Sequence, residues 1–149
     1  MPGMRRWVRS VCRRLRRSIR RAWQAQVRVW NRRLLPTLGD RGETAALRHL
    51  LRSGLDVVAR NVHIGGGELD LVAWDGDTLV FVEVKTRGRR DAFAPQVAVN
   101  RAKEEQVTRL ALAFCHRYGL ETVPLRFDVM AVTLEEGRPP EIRHFQKAF

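Results

Sequence analysis

Residues 66–87 read GGELDLVAWDGDTLVFVEVKTR. Two strands are predicted here, 68–74 and 78–86, because β-branched and aromatic residues dominate both segments. The Asp-Gly-Asp sequence at 75–77 favours a tight turn between them, since Gly tolerates positive φ and Asp hydrogen-bonds its own backbone. This part of the chain therefore predicts an antiparallel hairpin with a largely apolar surface.

Four charged residues interrupt the hairpin: Glu68, Asp70, Glu83 and Lys85. Residues two apart on a strand share a face, and pairing about the turn brings the Asp70 and Glu83 regions opposite each other. Charges buried without a counterion are costly. A divalent cation between Asp70 and Glu83, with Lys85 close by, would remove that cost, and Mg²⁺ prefers such oxygen ligands. The alternative is that these side chains are solvated at a sheet edge or form internal salt bridges.

Positive charge is concentrated at the N-terminus. Residues 1–33 contain 12 Arg and no Asp or Glu, whereas residues 34–149 contain 16 Lys+Arg and 16 Asp+Glu. We therefore expect a basic arm at 1–39 and one domain at 40–149, long enough for a single modest core. Apolar residues recur every three or four positions in the arm, which predicts an amphipathic helix.

Four interpretations of this arm are open. It can bind the phosphates of a nucleic acid, or lie on an anionic membrane surface. It can also pack on a partner protein, or have no role, either as a segment disordered by repulsion between its charges or as an extension from an upstream translation start. Composition alone does not choose among these interpretations.

Several other classes of protein are not indicated. Cys12 and Cys115 lie too far apart to suggest a disulfide framework, so we expect a reducing, cytoplasmic location. No apolar segment approaches the length of a membrane span. The histidines lack zinc-ligand spacing, and no Walker loop, dinucleotide fingerprint or G-x-S-x-G motif is present.

The first domain helix is predicted at 43–53. Asp40, with Glu43 three residues later, matches a capping box, and Gly54 is suited to end the helix. This structural role for Glu43 competes with a role in chemistry. The predicted buried side of the helix consists of Ala46, Leu47, Leu50 and Leu51.

The remaining elements are predicted as strands at 55–64, 126–134 and 141–145 and a helix at 99–118. Asn100 is a suitable N-cap for that helix, and Gly119 a suitable end. Asp128 is a lone acid in a buried strand, so we expect it to pair with Arg126 or with a backbone donor rather than to act in catalysis.

Basic residues follow the charged strand. Arg87, Arg89 and Arg90 are predicted to lie in a loop, where bidentate guanidinium contacts would hold a phosphate backbone. Lys103 lies near the start of the second helix and can approach the same region. The alternative for the arginines is an ordinary solvated loop, and residues placed like Lys103 are more often simply exposed to solvent.

In this order the motifs resemble the bacterial family of small endonuclease-like proteins known as UPF0102 or YraN-like. The resemblance covers residues 42–134, about two-thirds of the chain. It is carried by GExxA at 42–46, GELDL at 67–71, FVEVKTR at 81–87, Lys103 and RFDV at 126–129.

This resemblance implies an α/β, restriction-endonuclease-like fold, related to that of Holliday-junction resolvases, with a central mixed sheet flanked by two helices. It implies Asp70 as the first acid of a nuclease signature, Glu83 as the second and Lys85 as its lysine. Glu43 would be a further metal-associated acid, and the Val84 carbonyl would join the metal ligands.

The resemblance also implies a function: a nuclease dependent on Mg²⁺ or Mn²⁺ that hydrolyses phosphodiester bonds in structured or branched DNA. Lys85 would orient or deprotonate the attacking water or neutralise developing charge. By analogy with resolvases, the active form would be a homodimer. The alternative is a nucleic-acid-binding protein that retains the nuclease fold without turnover.

Overall fold

The computed structural model of this protein describes residues 17, 19, 21, 36–88 and 100–149. From residue 36 onward, the described residues form five strands and two helices. The helices are α1 (Leu38–Arg52) and α2 (Arg101–Tyr118), and the strands are β1 (Asp56–Ile64), β2 (Gly67–Asp75), β3 (Thr78–Gly88), β4 (Leu125–Leu134) and β5 (Glu141–Phe145).

The five strands form one mixed sheet in the order β1-β2-β3-β4-β5. β1, β2 and β3 are successive antiparallel neighbours, β3 and β4 are parallel, and β5 is antiparallel to β4. The parallel pair requires a crossover connection, and α2 lies in it. The predicted α/β architecture with a mixed sheet and two helices is therefore confirmed, and it is consistent with a nuclease-like fold.

The two helices belong to two separate hydrophobic clusters formed by alternate residues of the sheet. Ala46 and Leu50 of α1 cluster with Val80 and Val82, all fully or almost fully buried. Each large apolar side chain buried in this way contributes roughly 1.5–3 kcal/mol to folding. The central strand β3 is thus apolar on both faces along its first half, and the charged residues follow.

On the other face, Phe114 of α2 packs edge-on against Phe81, with ring centroids 5.7 Å apart. Such aromatic pairs add about 0.5–1.5 kcal/mol beyond their burial. Ile19, a residue of the predicted N-terminal arm, is 1% exposed and belongs to this same cluster. Apart from residues 17, 19 and 21, the predicted arm up to residue 35 lies outside the described residues.

The predicted tight turn between β2 and β3 is confirmed. Its Gly76 has a φ of 57°, a left-handed conformation that costs glycine little. Gly65 and Gly66, with φ of 57° and 77°, form the corresponding turn between β1 and β2. Both hairpins therefore depend on glycine, because other residues adopt this backbone conformation only with strain.

The predicted start of the first helix was wrong. The N-cap is Thr37, whose side chain accepts a hydrogen bond from the Asp40 backbone, while Asp40 Oδ2 accepts from the Thr37 N–H at 2.7 Å. The capping box is therefore Thr37 with Asp40, one turn earlier than predicted. Glu43 takes no part in it. Leu51, predicted to be buried, is 53% exposed.

The second helix follows its prediction more closely. The Asn100 side chain accepts from the Lys103 N–H, and Gly119, with a φ of 65°, ends the helix in a left-handed conformation. One prediction near it was wrong, since β3 extends to Gly88 and Arg87 therefore lies in a strand rather than a loop. Among the residues described, no helix is long and apolar enough to span a bilayer.

Candidate functional site

The candidate site lies where β2 and β3 stop pairing. Their ladder runs from Asp75–Thr78 to Leu71–Val82 and ends there, immediately before Asp70 and Glu83. Beyond that point the Val84 N–H donates to Asp70 Oδ2 at 2.7 Å, so a side chain replaces the ladder partner. The two acids thus lie close together at the end of the β2–β3 ladder, which we call the break in the sheet.

Asp70 is an electrostatically unfavourable carboxylate. Burial, and then the neighbouring charge of Glu83, raises the pKa of Asp70 to about 7, although the Val84 hydrogen bond opposes this. Glu43 raises the same pKa further, and Lys103 lowers it. The charged form of Asp70 is therefore disfavoured mainly by burial and secondarily by the neighbouring acids, and perturbed groups of this kind are common at functional sites.

Lys103 contacts Glu83 directly. Its Nζ lies 3.0 Å from Glu83 Oε1, and the two side chains are 33% and 11% exposed. This lysine had been predicted to contact nucleic acid. In the structure it instead connects the first turn of α2 to β3 and offsets part of the negative charge.

Glu43 reaches the site because α1 approaches β3 closely at Gly42. A Cβ atom at Gly42 would lie 1.8 Å from Thr86 Oγ1, so only glycine fits between helix and strand. The next residue, Glu43, thereby comes near Asp70. Burial raises the pKa of Glu43, against a hydrogen bond from Asn61 that lowers it.

Asn61 joins two of the acids. Its Nδ2 lies 2.6 Å from Glu43 Oε2 and 2.9 Å from Glu68 Oε1, and it can donate to both. The flanking β1–β2 pairs place Asn61 in register with Asp70, and its φ of 50° is unusual for a non-glycine residue. Backbone strain of this kind clusters at functional sites.

Two further side chains, Arg60 and His63, complete this side of the cluster. Arg60 Nη2 lies 3.6 Å from Glu43 Oε2, and His63 Nε2 lies 3.2 Å from Glu68 Oε2. Sequence reasoning missed Asn61 and Arg60 as site residues. The available signal was weak: both are polar residues in a strand otherwise rich in Val and Ala.

Lys85 and Arg87 continue along β3 at two-residue intervals from Glu83, so the three share one face. Lys85 is partly exposed. Its ammonium forms no hydrogen bond or ion pair with the residues that the structure describes. The other two predicted contacts, Arg89 and Arg90, lie outside the described residues.

The donor set suits a hard cation with few protein ligands. Within residues 17, 19, 21, 36–88 and 100–149, no three His, Cys, Asp or Glu side chains gather into a metal-binding group. Mg²⁺, however, is commonly held by one or two carboxylates, with water and substrate phosphate completing the octahedron. The uncompensated charge at Asp70, with Glu83 beside it, fits that requirement, and the Val84 carbonyl is adjacent in sequence.

Comparison with known proteins identifies the family. Residues 42–132 match the model of the uncharacterised protein family UPF0102. The chain is 46% identical to a UPF0102 protein of Geobacter sulfurreducens over 112 residues, which cover 75% of this chain and 88% of the relative. It is 45% identical to a UPF0102 protein of Symbiobacterium thermophilum, covering 75% of this chain and 95% of the relative. The chain therefore belongs to the UPF0102 family, as its motifs predicted.

Proposed function

We propose that this protein is a metal-dependent nuclease that hydrolyses phosphodiester bonds in structured or branched DNA, with Mg²⁺ or Mn²⁺ as its cofactor. The observation that carries the proposal is the placement of Asp70 beside Glu83 at the end of the β2–β3 ladder, with the Val84 N–H bound to the Asp70 side chain. A carboxylate whose pKa is raised to about 7, beside a second acid and at a break in the sheet, is stabilised by a bound cation. An acid at a solvated sheet edge would have no such pKa shift, because water would stabilise its charge.

Asp70 and Glu83, with the Val84 carbonyl, would hold the metal, and Glu43 would hold a water bound to it. The metal, when bound, supplies Lewis-acid polarisation of the phosphate and lowers the pKa of a bound water. Lys85 is placed on the same strand face as Glu83, where an ammonium can orient the attacking water or neutralise charge developing on the phosphate.

Lys103 has a different role in this proposal. At 3.0 Å from Glu83 it offsets the charge of that acid in the metal-free protein. A metal bound between Asp70 and Glu83 would compete with that ion pair. Lys103 would then be released from Glu83 and could contact a substrate phosphate, as predicted from the sequence.

The alternative function is nucleic-acid binding without turnover. The Glu83–Lys103 ion pair favours it, because an acid already neutralised by a lysine has less need of a metal. Under this alternative Asp70, with its pKa raised to about 7, would be about half protonated at neutral pH, and no cleavage would occur.

A cleavage assay separates the two functions. Full-length protein is incubated with labelled four-way junctions, duplex and single strands, in Mg²⁺ or Mn²⁺ and then with EDTA. We expect metal-dependent cleavage that falls about 10²-fold or more in Asp70→Asn and in Glu83→Gln. The matched control is Glu121→Gln, which removes an exposed carboxylate that takes no part in the candidate site. We expect its cleavage to be unchanged.

The outcomes are distinct. Binding of DNA that survives both active-site substitutions, with no cleavage in any metal, would support the non-catalytic function. Cleavage that persists in Asp70→Asn would contradict the assignment of the site. Analytical ultracentrifugation of the same samples with a junction would show whether two copies act together, as the resolvase analogy requires.

A further inference from the structure

A groove lies along α1. Its volume is about 690 Å³. Arg41, Arg48 and Arg52 of α1 and Arg60 of β1 line it, while the opposite wall is largely apolar. That wall consists of Leu134, Pro139, Pro140 and Ile142 from the end of β4 to β5.

The three helical arginines form one row. Positions 41, 48 and 52 are separated by seven and four residues, so they point to the same side of α1 and extend over roughly 16 Å. All three are exposed. A single row of guanidinium groups complements one line of phosphates, because planar guanidinium binds phosphate in a bidentate manner.

Negative charge in the groove is low. Asp40 is the one acid in the set of lining residues, against four arginines. Its Oδ2 already accepts hydrogen bonds from the Thr37 N–H and Oγ1, each at 2.7 Å. The groove is therefore strongly cationic at its arginine wall, while its apolar wall offers a contact surface for sugars and bases.

Arg60 connects the groove to the candidate site. It lines the groove and also lies 3.6 Å from Glu43, which in turn lies close to Asp70. We propose that the groove binds the phosphodiester backbone of one single-stranded arm of the DNA substrate, leading that arm away from the acidic site. This inference rests on the proposed nuclease function, because only that function makes the bound strand an arm of the DNA substrate. It makes a junction or flap with a single-stranded arm the preferred substrate class.

Binding is measured by fluorescence anisotropy with a labelled single-stranded oligonucleotide and a matched duplex, in EDTA, over a series of salt concentrations. The test variant is the full chain with Arg41→Gln, Arg48→Gln and Arg52→Gln. The matched control carries Arg117→Gln, Arg143→Gln and Lys147→Gln, which removes the same charge from exposed residues that do not line the groove. We expect single-strand affinity to fall about tenfold or more in the test variant, with the salt slope smaller by about two.

Equal weakening in the two triple variants would overturn the proposal, because it would reflect net charge alone. Oligonucleotide binding at the wild-type level in the test variant would also overturn it. So would a co-sedimentation assay in which the test variant loses binding to anionic vesicles while its oligonucleotide affinity is unchanged. An Arg→Lys triple at 41, 48 and 52 retains the charge but not the bidentate geometry, so it should keep the salt slope and lose only part of the affinity. If the glutamine triple does not fold, Arg48→Gln alone should still lower the salt slope by about 0.7.

Because EDTA prevents turnover, the binding experiment tests the groove separately from the nuclease assay. Groove-dependent binding without cleavage in any metal would retain the groove and refute the nuclease function. Cleavage of junctions with unchanged binding in the groove variant would retain the nuclease function and refute the groove.

Discussion

Two carboxylates, Asp70 and Asp128, lie within the sheet, the first partly buried and the second fully buried, and their surroundings are opposite. Arg126 contacts both Asp128 oxygens, at 2.9 and 3.0 Å, and His144 Nε2 and the Lys147 N–H lie at 2.9 and 3.1 Å. Burial alone would raise the pKa of Asp128, but these donors hold it below its usual range. Asp70 has one backbone donor and acidic neighbours, and its pKa is raised to about 7.

The difference separates structure from function. A carboxylate surrounded by donors holds the fold together, and here Asp128 links β4 to the C-terminal residues through His144 and Lys147. A carboxylate that the fold leaves with excess charge destabilises the protein and is retained for something that it binds. Substitutions at the two positions should therefore change stability in opposite directions.

The largest effect is expected for Asp128→Asn. Asparagine cannot offset the positive charge of Arg126, which is only 12% exposed and would keep Asp75, 2.6 Å away, as its remaining acid, so we expect the free energy of unfolding to fall by about 3 kcal/mol. Urea denaturation near neutral pH measures it. Because the pKa of Asp128 is lowered by folding, its contribution is present above its unfolded pKa and is lost as pH falls below about 4. A change smaller than about 1 kcal/mol would mean that the network is not structural.

Asp70→Asn should stabilise the protein. Asparagine still accepts the hydrogen bond from the Val84 N–H but has no charge to desolvate. We therefore expect the free energy of unfolding to rise by about 2 kcal/mol at pH 8. This is less than the full pKa shift would give, because water reaches the side chain and screens its charge.

The pH dependence has a definite sign. The pKa of Asp70 is raised from 3.8 to about 7, so the wild type loses stability as pH rises through that interval and the variant does not. The gain should be near zero at pH 4 and complete above pH 7. Thermal unfolding of both proteins across this range checks it, and a variant less stable than wild type at high pH would contradict the account.

Asn61 is intermediate, because it gives the acidic cluster a neutral donor rather than a charge. Asn61→Gly keeps the left-handed backbone accessible and removes only the amide, whereas Asn61→Ala also forces a side chain into that conformation. We expect the alanine variant to be less stable than the glycine variant by about 1 kcal/mol. Equal stability in chemical denaturation would show that the φ of 50° carries no strain.

The smallest effect is expected for Glu121→Gln. Glu121 lies 3.2 Å from His116 Nδ1, but the two side chains are 55% and 87% exposed. Exposed ion pairs contribute little, so the free energy of unfolding should change by less than about 0.5 kcal/mol. A larger loss of stability would mean that solvent exposure does not distinguish carboxylates that stabilise the fold from those that do not.

Much of the architecture was predictable, because alternation, glycine turns and helix caps are local signals. The hairpin around Gly76, the caps at Asn100 and Gly119 and the pairing of Asp128 with Arg126 all follow from neighbouring residues. The start of α1 was misassigned because both Thr37 and Asp40 are good cap residues at compatible spacing. Only the folded chain shows which residue begins the helix.

The acidic cluster was predictable only in part. Asp70, Glu83 and Glu43 were recognisable from motifs, but the contacts of Asn61 and Lys103 join residues that are distant in sequence. Local patterns contain no information on such pairs. The spacing of the arginine row on α1 was present in the sequence, yet its meaning depends on the apolar wall supplied by β4 and β5.

Calorimetric titration of Mn²⁺ into the protein tests the central claim that Asp70 and Glu83 form a cation site. For the wild type we predict one site per chain, with proton release when the titration is performed near pH 7, because Asp70 must ionise to bind. Asp70→Asn and Glu83→Gln should abolish the binding, and Glu121→Gln should preserve it. Unchanged Mn²⁺ affinity in Asp70→Asn would contradict the account.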